Sequence, residues 1–255
     1  MIEDFVTGCT HLGHRNVCLH ASRMPWIYPN PNYNPGEKYN FKFNNPWAVD
    51  VKMHDEALIE NWNKIVGRKD RLFILGDFAF NDHARYIQAL NGKRKIIILG
   101  NHDKMNSDSL SLFAEVHEMG CRKKIQGQDV TLCHYGMRTW ASSVHGSWQL
   151  YSHSHGRLPE FDNMYTFDVG TDVWGYNVIP WPVIVEKMRL IEEKIRERGG
   201  RYVDGEFAAK AVYSKDPDQR MLDTRKKNKA IMESLGYEIN EEMWPEEKIC
   251  LPTAA

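Results

Sequence analysis

Apolar positions along this chain fall into short unbroken runs set between stretches of helical period. Residues 4–7 form a run that stops at Gly8, 71–75 one that stops at Gly76-Asp77, and 95–99 one that stops at Gly100-Asn101-His102-Asp103. Further runs occupy 129–133, 148–151 and 164–170. Runs of this length, closed by turn residues, predict buried strands. Between them, Ala57, Leu58, Trp62 and Ile65 recur at helical spacing and predict an amphipathic helix over 50–66. A second helix is predicted over 82–90, stopped by Asn91-Gly92. Strands alternating with helices predict an α/β fold.

Two segments break that rhythm. Residues 24–46 are crowded with Pro, Asn, Tyr and Trp, which cannot sustain a helix and predict a long loop, either a functional lid or a surface insertion. After Trp181 the chain turns amphipathic and charged, with helices predicted over 182–198 and 216–235. The expected division is a core over 1–181 and a helical extension over 182–255, which packs on the core or mediates oligomerisation.

Composition narrows the partners. Lys+Arg 33 against Asp+Glu 34 gives a formal net charge of -1, so no global positive field holds nucleic acid, and any such role needs a local patch. The apolar runs are too short to span a membrane. Residues 1–6 carry acids and lack the basic region of a secretory signal. The five cysteines (Cys9, Cys18, Cys121, Cys133 and Cys250) are odd in number and form no Cys-x-x-Cys pair, which fits reduced thiols in a cytoplasm.

The chemistry sits where the strands end. The pieces are Gly8-Cys9-Thr10-His11-Leu12-Gly13-His14, Gly76-Asp77, Gly100-Asn101-His102-Asp103, His134-Tyr135-Gly136 and Ser152-His153-Ser154-His155-Gly156. Each alone is an ordinary loop. Together, in this order and each behind a predicted strand, they place ligand-type residues at one rim, because sites in open α/β sheets form at the carboxyl ends of strands.

The set resembles the calcineurin-like metallophosphoesterases, whose pattern is Asp-x-His, Gly-Asp, Gly-Asn-His-Asp/Glu, a His, then Gly-His-x-His. The resemblance runs from about residue 5 to residue 174 and looks closest to compact bacterial and phage-type members. It implies a β-sandwich core of two mixed sheets flanked by helices, and a two-metal hydrolase. Carried over position by position, it implies one metal held by Cys9, His11, Asp77 and His155, and a second by Asp77, Asn101, His134 and His153. It gives His102 the role of proton donor to the leaving oxygen, with Asp103 orienting that imidazole. A hydroxide bridging the metals would attack phosphorus in line. The mixed N/O ligand set suits Mn, Fe, Zn or Ni better than Ca or Mg.

Two departures stand out. Ser152 replaces the Gly before His-x-His. Cys9 stands where the family has its first Asp, and it admits three readings: a thiolate ligand favouring Zn or Fe, a non-ligand beside a weak site, or the mark of a silent binding module. His14, Arg15 and Arg138 are candidates for contacting substrate. Of His20, His54, His83, His117 and His145, most are expected at the surface. The expectation is a phosphoesterase acting on a phosphodiester or phosphomonoester, a small molecule or nucleotide. The alternatives are a catalytically silent scaffold of the same fold and a nuclease.

Overall fold

The computed structural model describes residues 2–160, 163–197, 199 and 216–245. The chain opens with β1 (Asp4–Thr7) and α1 (Arg15–His20), then β2 (Ile27–Pro29), β3 (Trp47–Val49) and α2 (Val51–Ile65). Asp50 starts α2 by accepting the main-chain N–H of Met53 at 2.9 Å. The chain continues through β4 (Arg71–Leu75), α3 (His83–Ala89), β5 (Arg94–Ile98), α4 (Ser107–Leu110) and β6 (Glu115–His117). Strands β7 (Gly120–Ile125), β8 (Gln128–Cys133), β9 (Trp148–Tyr151) and β10 (Thr166–Asp168) follow. After β11 (Ile179–Pro180) come α5 (Trp181–Glu197) and α6 (Pro217–Ser234).

The fold is mixed α/β. One sheet has the order β11-β1-β4-β5-β6, with β1, β4, β5 and β6 parallel and β11 antiparallel at its edge. The second has the order β10-β9-β8-β7, parallel except for the β7–β8 pair. Alternation of strand and helix holds through the first sheet and fails in the second, where no α-helix separates β7 to β10 among the described residues. Strands β6, β7 and β11 were not predicted. β7 reads Gly-Cys-Arg-Lys-Lys-Ile, is buried only at Ile125, and takes its conformation from six pairs with β8 rather than from an apolar run.

The predicted loop over 24–46 contains β2, which pairs with β3 just beyond the segment's end. Asparagine side chains stand in for a ladder there. Asn44 donates from Nδ2 to the Asn34 carbonyl, and its Oδ1 accepts the Asn34 N–H, both at 3.0 Å. Trp26 is buried edge-on against His54 and Tyr176, so it packs in the core.

One apolar cluster joins both sheets and the C-terminal helices. Phe5, Leu72, Ile74, Ile96 and Ile98 meet Ile125, Val130, Leu132, Leu150 and Phe167, with Val183, Ile184 and Met188 of α5 and Met221, Leu222 and Ile231 of α6. The described part of 182–255 is therefore packed on the core. Residue 198, residues 200–215 and 246–255, and with them Cys250, lie outside the described residues. No helix of the described residues is long and apolar enough to cross a membrane.

Candidate metal centre

The carboxyl ends of β1, β4, β5, β8 and β9 deliver the five motifs to one edge where the two sheets are stitched together. Ser152 N–H donates to the His134 carbonyl at 3.0 Å, joining the ends of β8 and β9. The imidazole of His134 crosses to the other sheet, its Nδ1 lying 2.8 Å from the Leu75 carbonyl at the end of β4. Leu75 O can only accept, so Nδ1 carries a proton, and it is the neutral form of the ring that would present an Nε2 lone pair to the cluster.

All seven predicted ligands converge. Ligand atoms of Cys9, His11 and His155 lie within 4.8 Å of one another, as do those of Cys9, Asp77 and His134. Cys9 is common to both triads. Asp77 also reaches both groups, its Oδ2 lying 3.5 Å from His11 Nε2 and 3.4 Å from His134 Nε2. Asn101 Oδ1 lies 3.3 Å and His153 Nδ1 3.1 Å from His134 Nε2.

The backbone is bent to achieve this. Cys9 (φ 50°), His11 (φ 50°), Asp77 (φ 52°), His153 (φ 64°) and His155 (φ 48°) all adopt the left-handed conformation. Each such residue costs of the order of 1–3 kcal/mol, less for Asp and His, and such strain clusters at functional sites. Ser152 is outside that region, so its backbone carries a side chain without that strain. The preceding glycines leave the room. A Cβ on Gly76 would stand 2.5 Å from His134 Nδ1, and one on Gly100 2.3 Å from Asp77 Oδ1.

Charges and orphan atoms fit a cation. His11 Nε2 is buried without a hydrogen-bond partner among the described residues, aimed at Asp77. Burial, then Arg23, holds the His11 imidazole well below the usual range, which favours the neutral form that a ligand would need. Burial, then Asp77, pushes the Cys9 thiol well up, so a thiolate there requires a positive ion beside it. The sulfur accepts the main-chain N–H of His153 at 3.1 Å. Burial opposes ionisation of Asp77, but His134 and the His102 N–H hold its carboxyl below the usual value. Burial likewise opposes charge on His134, and Asp77 raises it in spite of that.

His102 is exposed, its ring 5.6 Å from that of His11 and 5.4 Å from that of His14. Its main-chain N–H donates to Asp77 Oδ1 at 2.9 Å, tying its position to the shared carboxylate. Asp103 does not sit behind that imidazole. Its carboxylate accepts the main-chain N–H groups of Asp77, Phe78 and Gly100 at 2.7–2.8 Å, so it clamps the ends of β4 and β5 together. In place of the expected orienting role, the Asp103 carboxylate is taken up by these three main-chain donors. His14 approaches His11, with 3.4 Å between their Nδ1 atoms, and burial, then His102, lowers it to about 4. Arg15 opens α1 half-buried, and Arg138 is exposed in the loop after β8. Neither side chain makes a hydrogen bond or ion pair among the described residues.

A buried network behind the cluster was not anticipated. His155 Nδ1 donates to Asp172 Oδ2 at 2.6 Å. Asp172 pairs with the fully buried Arg23, with Nε to Oδ1 at 2.8 Å and Nη2 to Oδ2 at 2.9 Å. Arg23 donates onward to the carbonyls of Thr10 and Cys9, so it holds the first ligand loop from behind. Its Nη1 lies 2.9 Å from His54 Nε2, and His54 Nδ1 lies 2.9 Å from Asp55 Oδ1. Asp55 accepts the Gly13 N–H and the Tyr86 hydroxyl. Of the five histidines expected mostly at the surface, only His20 and His145 are exposed; His117 is half-buried, and His54 and His83 are buried. From α6, Arg225 Nε donates to the Asp172 carbonyl at 2.8 Å, so the C-terminal helix reaches the same support.

No family model matches the chain. It is 31% identical over 162 residues to the Gene 66 protein of Mycobacterium phage L5, covering 50% of this chain and 78% of that one. It is 27% identical over 229 residues to the Gene 66 protein of Mycobacterium phage D29, covering 76% of this chain and 99% of that one. Among solved structures, a protein of unknown function from Aquifex aeolicus is 19% identical with a TM-score of 0.49, over 73% of this chain and 100% of that one.

Proposed function

The chain belongs to the family of the phage Gene 66 proteins, and we propose that it is a binuclear metal-dependent phosphoesterase. The observation that carries this reading is the buried, unpartnered His11 Nε2, 3.5 Å from Asp77 Oδ2, in a residue whose ligand atom lies within 4.8 Å of those of Cys9 and His155. A neutral imidazole buried against a carboxylate without a hydrogen bond is costly unless a cation lies between them. Two sheets sharing one core, with the cluster at the strand ends, support the sandwich architecture that the resemblance implies.

Cys9, His11, His155 and Asp77 would hold one ion, and Asp77, Asn101, His134 and His153 the other. Mn, Fe, Zn or Ni suits this mixture of imidazole, amide, carboxylate and thiolate. When bound, such a pair neutralises phosphate charge and makes a water nucleophilic at neutral pH. The chain's own groups do the rest. Leu75 O and Asp172 fix the protonated nitrogens of His134 and His155, so both present their other nitrogen to the cluster. Asp103 holds the ends of β4 and β5 in register. His102, exposed beside the cluster, gives its proton to the departing oxygen.

The test is metal analysis with hydrolysis of bis(p-nitrophenyl) phosphate under Mn, Fe, Zn and Ni. Two ions per chain and turnover are expected. His102→Ala should lower turnover about 10²–10⁴-fold with metal content intact. One ion or none, with no turnover under any of the four metals, would falsify the reading.

A further inference from the structure

The aromatic side chains that border the cluster are not those of the 24–46 segment. Among the described residues, ring contacts with its histidines come from Phe80 and Tyr135. Phe80 stacks on His14 with centroids 4.5 Å apart and planes 5° from parallel. It is nonetheless 47% exposed, so one face is covered and the other open. The position is rigid. Phe80 N–H donates to the Leu12 carbonyl at 2.9 Å, and Leu12 N–H donates to the Phe78 carbonyl at 3.0 Å. The loop carrying the ring is thereby pinned to the loop carrying Cys9 and His11.

The side on which Phe80 lies gives the ring its meaning. Its stacking partner His14 lies 5.4 Å, ring to ring, from His102, whereas Tyr135 lies against His134 and His153. If His102 protonates the leaving oxygen, the departing alcohol comes out beside the His14–Phe80 stack. A preorganised aromatic face there gains stacking energy from a planar ring without ordering a mobile side chain.

We propose that Phe80 is a specificity-determining platform that favours phosphate esters whose leaving group carries a planar aromatic ring, such as aryl or nucleoside esters. The proposal rests on the phosphoesterase reading for the placement of the leaving group. It adds what that reading lacks, a substrate class and the residue that selects it. Aromatic–base stacking is strong enough to set about a tenfold preference.

The experiment measures equilibrium binding of phenylphosphonate and methylphosphonate to the Mn-loaded protein by calorimetry. The two probes share the anion, resist hydrolysis and differ in the ring. Wild type should bind phenylphosphonate about tenfold more tightly. Phe80→Leu, which keeps bulk but removes the flat face, should collapse that ratio toward one, and Phe80→Trp should keep or raise it. Thermal melts confirm that each variant is folded. Equal affinities in wild type, or a preference that survives Phe80→Leu, overturns the platform. The phosphoesterase reading then still stands or falls on its own metal content and turnover. Failure of either phosphonate to bind a protein that hydrolyses no ester overturns both.

Discussion

Asp172 receives the Nδ1 proton of His155 at 2.6 Å while Arg23 holds its other side, and Asp172 and Arg23 are both buried beneath the cluster. The carboxylate therefore does two jobs. It fixes which nitrogen of His155 faces the cluster, and it neutralises a guanidinium that supports the Cys9 loop. Asp172→Asn keeps the shape and removes the charge, and metal affinity should fall about 10–100-fold, the usual cost of losing a carboxylate behind a ligating histidine. Competition with a chromogenic chelator measures it. Asp172→Ala also strands Arg23, and a urea melt should show a loss of about 3–5 kcal/mol. Unchanged chelator competition in Asp172→Asn would remove the supporting role.

Cys9 has a sharper test. Its sulfur belongs to both ligand triads and accepts the His153 N–H. If it ligates, Co(II) should produce the near-ultraviolet thiolate charge-transfer band. Cys9→Ser should lose that band and retain fewer than two ions. Cys9→Asp restores the ligand of the resembling family and should retain two ions without the band. A Cys9→Ser protein with full metal content and unchanged activity would show the sulfur to be a bystander.

Gly100 separates packing from chemistry. An added Cβ would stand 2.3 Å from Asp77 Oδ1 and 2.6 Å from Asp77 N. The oxygen could rotate away, but the main-chain nitrogen cannot, because Asp103 holds it at 2.7 Å. Gly100→Ala should therefore displace the shared carboxylate, lower metal content, and cost about 1–3 kcal/mol of stability. Metal analysis beside a denaturant melt checks both. A variant that keeps two ions would mean that the ends of β4 and β5 give more freely than this geometry requires.

The residues that converge at the rim were legible in the sequence because their placement is local. Each follows a buried strand directly, and parallel pairing of β1, β4 and β5 brings such ends to one rim. The supports were not, because three-dimensional closure alone defines them. Arg23 and Asp172 are 149 residues apart, and nothing around Arg23 distinguishes it from a solvated loop arginine. Ser152 read as a mere departure from Gly, yet it is fully buried with its hydroxyl 3.0 Å from His134 Nδ1. His54 is different, since a signal existed. It precedes Leu58 and Trp62 at intervals of four on the buried stripe of α2, and that spacing predicts an inward side chain. Asp103 was given its orienting role by the resemblance, whereas its carboxylate accepts main-chain N–H groups of Asp77, Phe78 and Gly100, contacts that only the pairing of β4 with β5 creates.

Far from the cluster, Glu115 sets a pH dependence that belongs to the fold. Hydrogen bonds from Lys123, then Arg94, with His117 adding to them, hold its carboxyl down at about 2. Those partners come from β7, β5 and β6, so the group ties three neighbouring strands across the seam between the two sheets. The ordinary value for Glu is about 4.3, so the folded state binds the proton more weakly than the unfolded one. The stabilisation is then complete above the unfolded value and disappears as pH falls from about 4.3 through 2. Glu115→Gln should be less stable than wild type at pH 7 by about 1 kcal/mol, modest because the group is partly solvated and salt screens it. Urea midpoints at pH 7, 4 and 3 should show the two proteins converging as the medium becomes more acid. At pH 7 the difference should shrink in 1 M salt. A gap that stayed constant from pH 7 to 3 would mean that Glu115 contributes through packing and not through its charge.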